Sequence, residues 1–194
     1  MPTMVDCENK TDEELVKLTL ENADWYSCLM QRYEDKLGRY IYRISGSGKE
    51  DIEDLLQEIF LATYRNLNDF DNRLKFSSWI YRIAHNFVIS HHRKIQARPI
   101  LIGGEGVEKY LAMIKDKNDV HALVNDKITG EVIGRLFQKI EVKYKEVLVL
   151  RYIEQKEYNE ISDILKKPVG TIGTLLSRAK MQLREIIKRE GIKL

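Results

Sequence analysis

The chain has 194 residues, of which 43% are hydrophobic and 32% are charged, with a formal net charge of +2. This length suits one large domain or two small ones, and the composition is globular and charge-rich. No apolar run approaches the roughly 18 residues of a membrane span, and no basic and apolar signal segment begins the chain. Cys7 and Cys28 match no zinc or redox spacing, so we expect reduced thiols in a cytoplasmic protein.

Composition and apolar spacing predict an all-α fold. The chain has only three prolines and is rich in leucine, isoleucine, lysine and glutamate. No segment alternates cleanly with a period of two residues, so we expect little or no sheet. Thr11 and Glu14 form a capping box, which satisfies free backbone N–H groups at the first helix start. Helical spacing predicts three further helices, over residues 24–44, 50–66 and 77–94.

A linker is predicted in the middle of the chain. Residues 95–130 lack a strong period and contain the run Gly103-Gly104-Glu105-Gly106, which is typical of a flexible connection. We therefore predict two small helical domains, an N-terminal domain over 1–96 and a C-terminal domain over 131–194, joined by a flexible linker over 97–130.

The C-terminal domain is predicted to be a helix-turn-helix. Two helices are expected over about 131–139 and 143–153. A short amphipathic helix over 158–165 and a longer one over 169–189 follow, with Pro168 near the first position of the latter, where a missing N–H does no harm. Two helices joined by so short a turn form a helix-turn-helix, whose second helix would enter the major groove. From Lys166 to Lys193 there are eight basic and two acidic residues, so this end is electropositive.

Charge is segregated within the N-terminal domain, although the total is nearly neutral. Residues 50–58 hold five acidic side chains and no basic one, whereas residues 72–98 hold six lysines and arginines and no acidic side chain. Aromatic residues interleave with these bases. Such a surface suits single-stranded nucleic acid, because cations follow phosphates and rings stack on bases. The acidic helix cannot face the same polyanion, so we expect it to face a protein.

Two other interpretations of the titratable residues are open. The acidic block can be a solvated helix face, or its carboxylates can hold magnesium with substrate phosphates, as in a nuclease or recombinase. The magnesium site would need a second element to close it, and no partner carboxylate motif is present. His85, His91 and His92 are irregularly spaced and fit polar helix residues better than metal ligands. We therefore expect no catalytic residue, no metal and no cofactor.

Three stretches in this order resemble a known family. DIEDLLQEIF at 51–60 is similar to the polymerase-clamp helix of bacterial RNA polymerase sigma factors of the extracytoplasmic-function (ECF) group. FSSWIYRIAHN at 76–86, continuing to Arg93, resembles the segment with which that group melts and reads the −10 promoter element. YNEISDIL at 158–165, followed by PVGTI at 168–172 and SRAK at 177–180, resembles its −35 helix-turn-helix.

The resemblance implies a role for each stretch. The acidic helix would dock on the clamp coiled coil of the largest subunit of core RNA polymerase through Asp51, Glu53, Asp54, Gln57 and Glu58. The basic segment would bind −10 DNA, and its loop over 68–76 would receive a flipped base. Its contact residues would be Arg73, Lys75, Phe76, Ser77, Trp79, Arg82, Asn86 and Arg93. Phe76 and Trp79 have a second interpretation, as core residues that shape the pocket, and for Trp79 this one is favoured. In the C-terminal domain, Thr171, Thr174 and Arg178 would read −35 base edges, and Lys167 and Lys180 would contact phosphates.

The expected function is therefore promoter-specific transcription initiation, with core polymerase and promoter DNA as partners. Members of the group are often held by an anti-sigma protein. The chain departs from the family pattern at Lys166, where glycine is usual in the turn, and at Gly173, where a basic residue is common. Two alternatives stay open. One is a helix-turn-helix regulator that never joins polymerase, and the other is a degenerate sigma relative that acts through protein contacts.

Overall fold

The computed structural model describes residues 2, 4–96, 136–137 and 139–191 of the chain. Over these residues the protein contains helices and turns and no strand, so the all-α prediction is confirmed. The predicted linker and most of the helix predicted over 131–139 lie outside the described residues. Among the described helices, none is long and apolar enough to cross a membrane.

Five α-helices lie within the described residues 4–96. The last four agree with the predictions to within a few residues, whereas the first was not predicted. They are α1 (Met4–Glu8), α2 (Asp12–Glu21), α3 (Tyr26–Ser45), α4 (Lys49–Arg65) and α5 (Phe76–Gln96). The capping box at the start of α2 is present, with the Thr11 backbone N–H 2.7 Å from a Glu14 carboxylate oxygen. Helices α3, α4 and α5 pack against each other in pairs, because each has an apolar stripe that can only be buried against a neighbour.

An aromatic cluster closes the end of this bundle where α5 begins. Phe76 is fully buried and Trp79 is 6% exposed. The Phe70 ring lies 5.6 Å from the Phe76 ring and 5.4 Å from the Trp79 ring, between centroids, and the Tyr33 ring lies 5.6 Å from Phe76. Phe76 and Trp79 are therefore core residues, as their second interpretation predicted.

The predicted reduced thiols are not observed, since Cys7 and Cys28 form a disulfide. The disulfide forms because the chain reverses direction between α1 and α3. The spacing of the two cysteines along the sequence does not reveal this reversal. The Arg32 side chain lies 2.6 Å from a carboxylate oxygen of Asp12 and donates to the backbone carbonyl groups of Cys7 and Lys10. These contacts hold α1 against the start of α3, where the two Cα atoms are 5.3 Å apart.

Within the described residues 139–191, the C-terminal part contains three α-helices and one π-helical turn. The helices are α6 (Val142–Leu148), α7 (Tyr158–Leu165) and α8 (Val169–Arg189). The helix predicted over 143–153 is α-helical only as far as Leu148, because Val149–Ile153 continue as a π-helix. Lys166 ends α7 in the left-handed conformation, with φ of 52°. This explains why glycine suits the turn of a helix-turn-helix.

The two domains pack on each other in this structure. Helix α7 of the C-terminal domain lies along α5 of the N-terminal domain, and α6 contacts α3. The buried core is continuous across this contact. The main contacts between the described parts of the two domains are made by α5 and α3 on the N-terminal side.

Candidate nucleic-acid and polymerase-binding surfaces

Helix α4 divides into a buried apolar face and an exposed acidic face. Its buried residues are Ile52, Leu55, Leu56, Ile59, Phe60 and Thr63. All the predicted polymerase-binding residues are exposed, namely Asp51, Glu53, Asp54, Gln57 and Glu58. Lys49 Nζ lies 3.6 Å from a Glu53 carboxylate oxygen across one turn, between two half-exposed side chains. Such a pair contributes little stability, so the acidic face is available to a partner.

Two apolar side chains extend this exposed face and were not identified from the sequence. Leu61 is 50% exposed and Tyr64 is 43% exposed. They follow Gln57 by four and seven residues, which is the spacing of one helix face. An apolar patch with an acidic border is typical of a protein-binding surface. Apolar spacing predicts Tyr64 as a member of the buried stripe of this helix, and this prediction is wrong, because Tyr64 is exposed. Leu61 lies outside that stripe.

The loop before α5 is held in shape by an ion pair. Arg73 donates to both carboxylate oxygens of Asp71, with Arg73 Nη2 2.7 Å from the nearer one. Hydrogen bonds from Arg73 lower the pKa of Asp71 to about 2. The side chain of Arg73 is 89% exposed, so its remaining donors face solvent. Below it, the backbone N–H of Phe76 donates to the Glu13 carboxylate at 3.1 Å, which ties the start of α5 to α2.

Apart from the buried Phe76 and Trp79, the predicted −10 residues in and just before α5 fall into two groups. Asn86 and Arg93 are exposed and Arg82 is half-buried on the same side of the helix, four and seven residues apart along the sequence. The structure therefore brings these three together as one polar face. Lys75 and Ser77, at the start of α5, meet the C-terminal domain instead. Lys75 Nζ lies 3.3 Å from a Glu160 carboxylate oxygen, and Lys156 Nζ donates to Ser77 Oγ at 3.1 Å.

The candidate −35 residues occupy the first half of α8. Thr171, Thr174 and Arg178 are exposed, and their spacing of three and four residues places them on one helix face. Lys167 lies in the turn, where its backbone N–H and C=O both bond to Ser162. Lys180 lies on another side of α8, with its Nζ 5.6 Å from the centre of the Tyr152 ring. It is the one predicted contact in this helix that the fold separates from the others.

Ionisable groups are also buried where the domains meet. Glu146 is 6% exposed, and burial raises its pKa to about 7. Burial lowers the pKa of His85 to about 4, and His85 Nδ1 lies 3.3 Å from the hydroxyl of Tyr40. The described residues contain no group of three or more histidine, cysteine, aspartate or glutamate side chains that could hold a metal ion.

Comparison with known protein families matches both halves of the chain. The family described as Sigma-70 region 2 matches residues 29–98, and Sigma-70, region 4 matches residues 130–183. The ECF RNA polymerase sigma factor SigW of Bacillus subtilis is 34% identical over 171 residues, which is 86% of this chain and 91% of SigW. The ECF RNA polymerase sigma-E factor of Escherichia coli K12 is 27% identical over 180 residues, which is 89% of this chain and 92% of that protein.

Two solved structures have the same fold. CnrH, in complex with the cytosolic domain of CnrY, superposes with a TM-score of 0.68 at 20% identity, covering 93% of this chain and 99% of CnrH. RpoE from Bartonella quintana, in complex with the anti-sigma factor NepR, gives a TM-score of 0.55 at 18% identity, covering 79% of this chain and 90% of RpoE.

Proposed function

Since the chain belongs to the ECF group of bacterial RNA polymerase sigma factors, we propose that its two domains divide polymerase binding and promoter recognition between them. The protein directs transcription initiation, with core RNA polymerase and promoter DNA as its partners. The N-terminal domain, residues 1–96, docks on polymerase and captures the melted −10 strand. The C-terminal domain, residues 131–194, binds −35 duplex. The chain performs no covalent chemistry of its own, and it works in the cytoplasm.

Polymerase docking is assigned to the exposed face of α4. Its five polar residues are all exposed, and their charge would steer them to a basic coiled coil of the polymerase clamp. Leu61, 50% exposed, would add apolar contact next to these residues. Charge reversal of Asp54 and Glu58 to lysine should weaken binding of core polymerase and leave −35 duplex binding unchanged. Reversal of Glu34 and Asp35, which are exposed on α3, is the matched control.

Capture of the −10 strand is assigned to the loop over residues 68–76 and to the polar face of α5. The loop would receive a flipped base, and holding that base offsets the few kcal/mol that extrusion costs, about the stacking energy of one base. Arg82, Asn86 and Arg93 would contact base edges or phosphates. Phe76 and Trp79 would act from beneath, as buried residues that hold the loop in shape.

Recognition of −35 duplex is assigned to the first half of α8. Thr171, Thr174 and Arg178 would read base edges in the major groove, and Lys167 and Lys180 would contact phosphates. If Arg178 reads a base, Arg178→Ala should cost about 1–3 kcal/mol and relax specificity at one position. Arg189→Ala, at the far end of the same helix, removes the same charge and should change affinity much less.

An anti-sigma protein is also proposed as a partner. The supporting observation is that RpoE of Bartonella quintana was solved with the anti-sigma factor NepR. No single side chain of this chain identifies such a partner, so co-purification from the native cell is the measurement to make.

The central experiment is run-off transcription from a random promoter library with purified core polymerase, with and without this protein. Transcripts that share an upstream motif and need the protein would support the proposal and give the −10 and −35 sequences. If no transcript appears while the protein alone selects duplex DNA, it is an independent helix-turn-helix regulator. If neither occurs, it is a degenerate relative that acts through protein contacts.

A further inference from the structure

The disulfide between Cys7 and Cys28 can be approached from one side. Cys28 lies in the core and is 1% exposed, whereas Cys7 is only partly buried against that core. Thiol–disulfide exchange proceeds by attack of a thiolate on one sulfur of the bond, so access to a single sulfur is sufficient. A small thiol can therefore react at Cys7, with the Cys28 sulfur as the leaving group. Disulfides of cytoplasmic proteins are rare, and they are usually transient and redox-sensing.

Helix α1 depends on this disulfide for its position. It has five residues, Met4–Glu8, and a helix of fewer than about 12 residues is marginal by itself in water. The contacts that hold it near α3 also include the Arg32 guanidinium, which donates to the backbone carbonyl groups of Cys7 and Lys10. The same guanidinium pairs with Asp12 at 2.6 Å. The disulfide and Arg32 therefore fix the chain together from α1 to the start of α2.

The start of α2 in turn supports the loop assigned to the −10 strand. The Asp12 carboxylate accepts a hydrogen bond from the Tyr33 hydroxyl, and the Tyr33 ring lies 5.6 Å from the Phe76 ring, between centroids. The Glu13 carboxylate accepts a hydrogen bond from the Phe76 backbone N–H at 3.1 Å. Phe76 is the last residue of the loop over residues 68–76 and the first residue of α5. A continuous series of contacts therefore joins the disulfide to this loop.

We propose that Cys7 and Cys28 are a reversible thiol–disulfide exchange site for a small thiol, and that the redox state of this site controls how firmly the −10 loop is held. The inference rests on the proposed role of the loop in −10 binding. The oxidised protein binds the melted strand more tightly, because α1 and the start of α2 are already fixed. In the reduced protein this segment gains conformational freedom, and strand binding must restrict that freedom again.

The exchange needs a small thiol and its disulfide and no further reactant. The thiolate of the small molecule attacks the Cys7 sulfur and breaks its bond to Cys28, which leaves as a thiolate and takes up a proton. A second small thiol attacks the mixed disulfide on Cys7 and releases that sulfur as a thiol. Two small thiols are thereby oxidised to one small disulfide, and the protein gains two electrons and two protons. The reverse reaction, with the small disulfide as oxidant, restores the bond.

The test uses the full chain in mixtures of reduced and oxidised glutathione. Alkylation followed by mass spectrometry measures the fraction of protein with a closed disulfide. Hydrogen–deuterium exchange measures how often the backbone opens over residues 4–11 and 68–76, and circular dichroism at 222 nm verifies that both forms are folded. For strand binding, the protein is added to core polymerase, and fluorescence anisotropy follows a labelled −10 single strand obtained from the run-off selection. Core polymerase alone is the blank.

We expect the disulfide to open and close reversibly as the glutathione ratio changes. Reduction should speed hydrogen exchange in both segments and lower the affinity for the strand about fivefold, the lower end of the range for coupled sites. Because such coupling is reciprocal, the bound strand should make the disulfide harder to reduce by the same factor. A fivefold change corresponds to a shift of about 20 mV in the reduction potential.

Two variants and a matched control separate the parts of this inference. Cys7→Ser cannot form the bond and leaves the buried Cys28 in place, so it should match the reduced protein in every glutathione mixture. Glu13→Ala removes the acceptor of the Phe76 N–H, so the difference in strand affinity between the two redox states should become smaller. Glu21→Ala, which changes an exposed residue of the same helix, should keep the full difference.

Two outcomes overturn the inference. If the cysteines stay reduced in excess oxidised glutathione, or the bond stays closed in excess reduced glutathione, the pair is not an exchange site. If reduction affects residues 4–11 and leaves both residues 68–76 and the strand affinity unchanged, the disulfide does not control the loop. A holoenzyme that binds no strand and makes no transcript in either form would instead refute the −10 assignment, and faster exchange over residues 68–76 on reduction would still support control of the loop by the disulfide.

Discussion

The burial of Trp79 predicts that this residue stabilises the fold and does not stack on DNA. Its side chain is 6% exposed, and its ring lies 5.4 Å from Phe70 and 5.7 Å from Phe76, between centroids. Trp79→Ala would remove one large member of a packed aromatic cluster and leave a cavity. A change of this kind costs about 3–5 kcal/mol in the free energy of unfolding. Trp79→Phe keeps a ring in the cluster and should cost much less.

The other tryptophan of the chain is a matched control. Trp25 is only partly buried, with Lys10 Nζ 5.6 Å from the centre of its ring. Trp25→Ala should therefore cost less than Trp79→Ala, because a partly buried ring loses less packing than a ring enclosed in the core. Urea unfolding followed by circular dichroism at 222 nm compares the variants, because this signal does not depend on either tryptophan.

One result would refute the structural role of Trp79. If Trp79→Ala unfolded at the same urea concentration as the wild-type protein and yet lost binding to a single strand, Trp79 would be a stacking residue and the packed cluster would not exist in solution. A loss of stability together with full strand binding in Trp79→Phe would support the structural role.

Four further predictions concern two glycines, the disulfide and the buried carboxyl. Gly173→Ala should stabilise the protein by about 1 kcal/mol, because the added Cβ meets nothing nearer than a Tyr158 ring carbon at 3.9 Å. Gly46→Ala should destabilise it by about 1 kcal/mol, because Gly46 has φ of 67°; thermal melts compare the two. Reduction of Cys7–Cys28 should lower the free energy of unfolding by about 3 kcal/mol, and alkylation followed by mass spectrometry should label both cysteines only after reduction. The pKa of Glu146 is raised to about 7 by burial, so its contribution favours the folded state at low pH and is lost as the pH rises from about 4.5 through 7. Glu146→Gln should therefore reduce the fall in stability across this range, measured by urea unfolding at each pH.

Helices were predictable from the sequence where a local signal fixed their ends. The predicted span 158–165 corresponds to the observed helix Tyr158–Leu165, and the span 169–189 corresponds to Val169–Arg189. Both ends of the turn between them depend on residues close in sequence, since Lys166 stops one helix and Pro168 starts the next. The capping box before α2 was predictable for the same reason. Its two side chains bond across only three residues.

Features that depend on contacts distant in the sequence were not predictable in this way. The Cys7–Cys28 disulfide requires α1 to return along α3, which the ion pair of Arg32 with Asp12 helps to hold. The π-helical turn interrupts a stretch whose apolar spacing alone is compatible with a continuous α-helix. Leu61 was not identified because the apolar stripe of a helix indicates which positions are buried. It does not show which other apolar residues lie on the exposed face.

The basic surface of α5 shows why a local charge pattern indicates which kind of group can bind and does not identify the partner. Lys75 can bind a phosphate or a carboxylate, because an ammonium group is a point charge with donors and no strict geometry. Its contact with Glu160 is weaker than the contact of Arg43 with Glu154, since the Lys75 side chain is 68% exposed and water and salt screen such a pair. The side chains of Arg43 and Glu154 are only 13% and 9% exposed, so that pair is screened much less. The local pattern of bases could not distinguish these two cases, because Glu160 and Glu154 are far along the sequence from the bases that they pair with.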